Sequence, residues 1–113
     1  MKIAFTAKGT DWKAEIDPRF GRTDYIVLYD EATKELTSVD NRVVEDVAHG
    51  AGTQTAQKLF DLGPDVLITG NGPGGNAAAV LQKTKLKIFV GAGTMTVQDA
   101  YDAYEKGTLT AFA

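Results

Sequence analysis

Three clusters of residues in this chain have the types and spacing to do chemistry, each through a different group. The first is the run Gly70-Asn71-Gly72-Pro73-Gly74-Gly75-Asn76. Its glycines let the backbone turn sharply and bare its amides, and several amides at a helix start make a seat for an anion. The second is His49-Gly50-Ala51-Gly52. His49 is the only histidine, so any imidazole chemistry must use it. A helix start disfavours imidazolium, which keeps the ring neutral and able to bind a metal. Gly50 and Gly52 leave space beside it for a bulky ligand. The third is Arg19-Phe20-Gly21-Arg22. Phe20 can anchor the loop in the core and Gly21 can turn it, which aims two guanidinium groups in related directions, apt for an anion.

Each cluster also has a plain reading. The glycine run can simply pack a strand tightly against a helix, His49 can be a partly exposed residue near a helix start, and Arg22 can pair with Asp17 or Asp24 to fix its own loop. Known reaction types fit less well. Gly70 to Gly75 matches the pattern G-x-G-x-x-G, but a dinucleotide site wants it in the first βαβ unit with an acid about 20 residues further on. Only one strand follows here, and Thr94 to Thr96 offer no carboxylate. Two-metal hydrolysis needs carboxylates on central strands. The first strand has none, and the fourth has only Asp65 at its start. Ser38 lies in an edge strand, not in a nucleophile turn. The absence of cysteine removes disulfides, thiolate nucleophiles and cysteine-ligated metal centres together.

The elements that must position these clusters follow from periodicity. Val66-Leu67-Ile68, bounded by turn formers, reads as a strand buried on both faces. The glycine run follows it, and then Ala77, Val80 and Leu81 recur at helical spacing with Pro73 near the helix start. Earlier, Lys2 to Ala7 is a first strand, Lys8 to Asp17 a polar loop, and Asp24 to Tyr29 and Glu35 to Val39 an antiparallel meander. Asp40 to Ala48 has no clear period. From His49 the pattern is helical, with Ala56, Leu59 and Phe60 as its apolar stripe and Gly63-Pro64 as its stop. Lys87 to Gly91 is a fifth strand. Thr96 caps a last helix whose stripe is Val97, Ala100, Tyr101 and Tyr104, closed by Gly107. Thr108 to Phe112 reads as a loose terminal strand or a tail that packs back.

This layout predicts an α/β fold. It is a three-layer α/β/α sandwich of the ribonuclease H-like kind, around a five-stranded mixed sheet of order 3-2-1-4-5 with strand 2 antiparallel. The loops after strands 1 and 4 then leave the same edge of the sheet, where open α/β sheets hold their ligands, so Arg19, Arg22, His49 and the glycine turn can line one crevice. At 113 residues and 43% hydrophobic content, residues 1–113 form one domain. A net charge of −3 argues against non-specific binding to nucleic acid or a membrane surface. No apolar run approaches the roughly 20 residues that span a bilayer. Met1-Lys2-Ile3-Ala4-Phe5 enters a strand directly, without room for a signal peptide, so a cytoplasmic location is expected.

The motifs also follow one another in a familiar order. Met-Lys-Ile-Ala opens the chain, Asp-Pro-Arg-Phe-Gly-Arg spans 17–22, His-Gly-Ala-Gly spans 49–52, and Asp-Val-Leu-Ile-Thr-Gly-Asn-Gly-Pro-Gly-Gly-Asn-Ala spans 65–77. Thr-Val-Gln-Asp-Ala-Tyr-Asp-Ala-Tyr then spans 96–104, with Gly-Thr-Leu at 107–109. Over nearly its whole length the chain resembles the dinitrogenase iron–molybdenum cofactor biosynthesis family. The resemblance implies a ribonuclease H-like domain that, in nitrogenase accessory members, binds an iron–sulfur–molybdenum cofactor or its precursor during assembly. On that reading the protein is a non-catalytic carrier of an anionic cluster of iron–sulfur or iron–molybdenum type. The cluster is bound transiently and passed between a donor and an acceptor protein. His49 ligates it, Arg19 and Arg22 offset its charge, and the amides of Gly72, Gly74, Gly75 and Asn76 donate to its sulfides or carboxylates, beside Gly50 and Gly52. The alternative is a regulatory domain that binds a small-molecule or nucleotide-type anion in the same crevice without metal.

Overall fold

A computed structural model of the chain describes residues 1–42 and 50–112. Among these residues nine elements follow in order. They are β1 (Lys2–Ala7), β2 (Tyr25–Asp30), β3 (Glu35–Asp40), α1 (Ala51–Leu62), β4 (Val66–Ile68), α2 (Gly75–Leu81), β5 (Lys87–Val90), α3 (Val97–Lys106) and β6 (Thr110–Ala111). The strands form one mixed sheet in the order β3-β2-β1-β4-β5-β6. β1 pairs parallel with β4 and antiparallel with β2, while β4 and β5 run parallel. The expected order holds, with strand 2 antiparallel. One addition is that the segment after α3 pairs antiparallel with β5 as a two-residue sixth strand, Phe89 opposite Ala111 and Val90 opposite Thr110.

Strand side chains alternate between two cores, as the pleat requires. Ile3, Phe5, Ala7, Val27, Val66 and Ile68 point to one face, where α3 (Val97, Ala100) and the 8–16 loop (Trp12, Ile16) cover them. Ala4, Ile26 and Leu67 point to the other, against Ala56 and Leu59 of α1, Ala77 and Leu81 of α2, and Phe20. The result is the three-layer α/β/α arrangement. β4 has only three residues, all buried, because it lies between β1 and β5 with helices on both sides. The Thr96 cap forms as expected, its Oγ1 accepting from the amide of Asp99 at 3.1 Å. Gly63 closes α1 in the left-handed conformation, φ 66°, with its amide bonded to the carbonyl of Leu59.

One expected core position is corrected. Phe60 is 45% exposed, not on the buried stripe. The buried residues of α1 are Ala51, Thr55, Ala56 and Leu59, and residue 60 sits about 100° around the helix from residue 59, past the edge of that stripe. No helix among the described residues is long and apolar enough to cross a membrane.

Candidate functional site

The site is built where the loop after β1 folds over the carboxyl ends of the parallel strands. Asp17 is pinned to β1 by its amide, which donates to the carbonyl of Thr6, and by the Thr6 hydroxyl, which donates to the Asp17 carbonyl. The hydroxyls of Thr6 and Thr69 meet at 2.7 Å, joining the ends of β1 and β4. Pro18 then lies between Gly70 and Gly93. A Cβ on Gly70 would come within 2.6 Å of the Pro18 Cα, so this crossing needs glycine there. The amide of Asn71 closes the crossing by donating to the Pro18 carbonyl.

The Asp17 carboxylate is the electrostatic centre of this loop. It is fully buried and accepts from the amides of Arg19 and Asp24 and from Nε and Nη2 of Arg19. Burial works to raise its pKa, but the hydrogen bonds from the Arg19 side chain and from the two amides outweigh it. The carboxyl is held below its ordinary value. Arg19 also stands 3.6 Å from Asp24. Arg19 therefore pairs with Asp17 and stands beside Asp24. Phe20 is 4% exposed in the core beneath α1 and α2, so it anchors the loop, and Arg22 is half-buried beyond it.

Gly21 brings the loop onto α1. A Cβ there would fall 2.8 Å from the Cα of Gly52 and 2.9 Å from its amide nitrogen, so the two glycine backbones touch. The contact is locked by Thr55, whose hydroxyl donates to the Gly21 carbonyl at 2.7 Å. The side chain of Asn41, fully buried, donates to Thr55 Oγ1 and to the Thr23 carbonyl and accepts from Lys58 Nζ. Asn41, Thr55 and Lys58 are supports that sequence reading missed. Asn41 fell in a stretch with no period, and its partners lie 14 to 18 residues away.

With the loop so placed, the starts of α1 and α2 meet. Gly50, Gly52 and Thr53 form one wall of a crevice of about 240 Å³, and Gly74, Gly75, Asn76 and Ala77 form the other. Neither helix start has a side-chain cap, so first-turn amides there have no intrahelical acceptor. Five residues singled out from sequence are therefore brought together: Gly50, Gly52, Gly74, Gly75 and Asn76. Three are not in the lining. Gly72 packs under the ring of Phe112, leaving no room for a Cβ, and Arg19 and Arg22 stand on the neighbouring loop. His49, which precedes Gly50 in the chain, lies outside the described residues. Among those residues, no group of three or more His, Asp or Glu side chains is placed to hold a bare metal ion. Asp65 is occupied structurally, accepting from the amide of Lys2 at 2.8 Å.

Comparison with known proteins agrees with this architecture. The apo form of the orange protein from Desulfovibrio gigas is 36% identical, with a TM-score of 0.91 over 99% of this chain and 92% of that one. A putative NifB protein from Thermotoga is 32% identical, with a TM-score of 0.81 over 97% of this chain and 91% of that one. No curated protein is similar enough to count as a match. The sequence profile of the dinitrogenase iron-molybdenum cofactor family matches residues 1–107. With that match, and with relatives above 30% identity along almost its full length, the chain belongs to the dinitrogenase iron-molybdenum cofactor family.

Proposed function

We propose that this domain is a non-catalytic carrier of an anionic metal–sulfur cluster, of iron–sulfur or iron–molybdenum type, held transiently between the starts of α1 and α2. The observation that carries this reading is the pair Gly74 and Gly75. Gly74 has φ −68° and ψ 173°, an extended conformation open to any residue, and Gly75 is helical. A Cβ on either would meet nothing within 4 Å. Neither backbone angle nor packing requires glycine there, and glycine in a helix costs about 0.5–1 kcal/mol relative to alanine. What the two glycines supply is open space and bare amides facing Gly50 and Gly52.

The family's description supports a cofactor as the cargo, and the relative described as the apo form of the orange protein is in keeping with it. A multiply charged cluster loses hydration on entering, so donors and cations must replace it. His49, one residue before Gly50, is the only side chain of this sequence able to form a strong nitrogen–metal bond near neutral pH. Arg19 and Arg22 add positive charge from the adjoining loop, and Asn76 adds an amide.

The test is anaerobic titration of wild type and His49→Ala with isolated iron–molybdenum cofactor, read by visible absorbance and co-elution, with inorganic phosphate as competitor. Saturable binding by wild type, about tenfold or more weaker in His49→Ala, is expected if one metal–ligand bond is lost. Binding should also weaken as pH falls through the imidazole's titration, because the protonated ring cannot ligate. Equal affinities would remove His49 from the mechanism. Retention of phosphate with no affinity for the cofactor would assign the crevice to a metal-free anion.

A further inference from the structure

We propose that Phe112, which lies outside the crevice, is a positioning residue for it: its ring clamps Gly72 and so holds the α2 wall in place. The role rests on the carrier reading for what the crevice holds, while the clamp itself stands on packing alone. The wall needs such a clamp because α2 cannot fix itself. It has seven residues and no side-chain cap, and helices under about 12 residues keep their place through packing rather than on their own. Its buried residues are Ala77 and Leu81, so Gly74, Gly75 and Asn76 stand exposed ahead of them.

The turn that leads into this wall is tied at its near end. The amide of Asn71 donates to the Pro18 carbonyl, and that of Gly91 to the Gly70 carbonyl. Past Asn71, among the described residues, neither Gly72 nor Pro73 makes a main-chain hydrogen bond. Packing takes over there. Pro73 is buried, and the Phe112 ring lies against Gly72 so closely that a Cβ would overlap it. Gly72 is not among the glycines with positive φ. The ring, not the backbone angle, is therefore what requires glycine at this position.

The ring is itself held from the sheet. β6 pairs with β5 at Phe89 and Val90, and the Phe112 amide donates to the Ile88 carbonyl at 2.8 Å. The side chain is still 37% exposed, so the contact with the turn is a large part of what its place achieves. A cavity of about 410 Å³ runs between Ala78, Leu81 and Gln82 of α2 and Ile88 and Phe89 of β5. That side of the helix is loosely covered, which leaves the brace at Gly72 to set where α2 begins. A binding wall must hold its place within a fraction of an ångström to keep its affinity, so a ring outside the crevice governs what happens inside it.

The test reads the clamp first without cargo. The Ala78 amide is bonded to the Gly74 carbonyl, so exchange at amides 78–81 reports on the wall. In Phe112→Ala these amides should exchange about tenfold faster while those of β1 and β4 keep their protection. Phe112→Tyr, which keeps the ring, should restore wild-type exchange. Gly72→Ala puts a methyl where the ring sits and should quicken the same amides. Added to Phe112→Ala it should change little further, because the ring it displaces is already gone. In a second arm, anaerobic binding of isolated iron–molybdenum cofactor should weaken about tenfold in Phe112→Ala and in Gly72→Ala, and recover in Phe112→Tyr. The proposal is overturned if Phe112→Ala leaves exchange at 78–81 unchanged, if exchange rises equally across the sheet, or if the two substitutions simply add. Faster exchange in α2 with unaltered cofactor affinity also overturns it. A wild type that does not bind the cofactor would remove the carrier reading, and the exchange arm would still decide whether Phe112 holds the wall.

Discussion

At the scale of single residues, Asp17 is where the site loop is most exposed to acid. Its buried carboxylate holds the Arg19 guanidinium and two amides. Removing it strands those donors, so Asp17→Ala should lower stability by about 2–3 kcal/mol in urea unfolding. The pH dependence follows from the direction of its shift. The folded-state pKa lies below the unfolded value of 3.8, so the carboxylate's contribution is complete above that value and disappears as pH falls through the folded one. Asp17→Asn should therefore start less stable at neutral pH and lose less than wild type between about pH 5 and 2. Parallel acid profiles would mean that Asp17 is not what ties the loop. The two arginines show what spacing alone conceals. Both Arg19 and Arg22 are close enough to Asp17 and Asp24 in sequence to pair with them. The turn at Pro18 brings Arg19 back over the Asp17 carboxylate.

At the scale of elements, much was legible. The strands, their order, the Thr96 cap and the glycine stops came from local periodicity and turn chemistry, because each is set by residues within a turn or two of one another. The meeting of the α1 and α2 starts also followed, since parallel crossovers bring those loops to one sheet edge. Contacts made at long range were not legible. Nothing local to Asn41 says that it will be buried under α1, and nothing near Gly72 says that Phe112, 40 residues on, will cover it. The outer strand β6 was legible only as one of two alternatives, because its two residues are exposed and show no alternation. Thr55 tests how much the long-range ties matter. Its hydroxyl is the buried link between α1, the Gly21 carbonyl and Asn41. Thr55→Val keeps shape but strands those partners, and should cost about 1–3 kcal/mol. Hydrogen exchange should speed up first at 21–23 and at the start of α1. A loss spread evenly over the sheet would contradict the role given to this link.

At the scale of the whole molecule, stability and cargo binding pull in opposite directions at the crevice, and the conflict can be measured. The crevice joins segments remote in sequence, the α1 start after Gly50 and the α2 start after Gly74. A ligand bound to both ties together parts of the chain that separate on unfolding. Ligand binding to the folded state alone stabilises it by about 2.7 kcal/mol at a hundredfold excess over the dissociation constant. For a domain of this size that corresponds to a melting shift on the order of 10 °C. Gly75→Gln puts a good helix former at a position with space for a Cβ. The ligand-free variant should melt at or above wild type, by up to about 1 kcal/mol. Its side chain then occupies the opening that the cluster needs, so the shift produced by isolated iron–molybdenum cofactor should shrink toward zero. Anaerobic calorimetry of both proteins, with and without the cofactor, separates the outcomes. A variant that melts early would show that Gly75 is needed by the fold. A variant that melts normally and keeps the full cofactor shift would place the cargo outside this crevice.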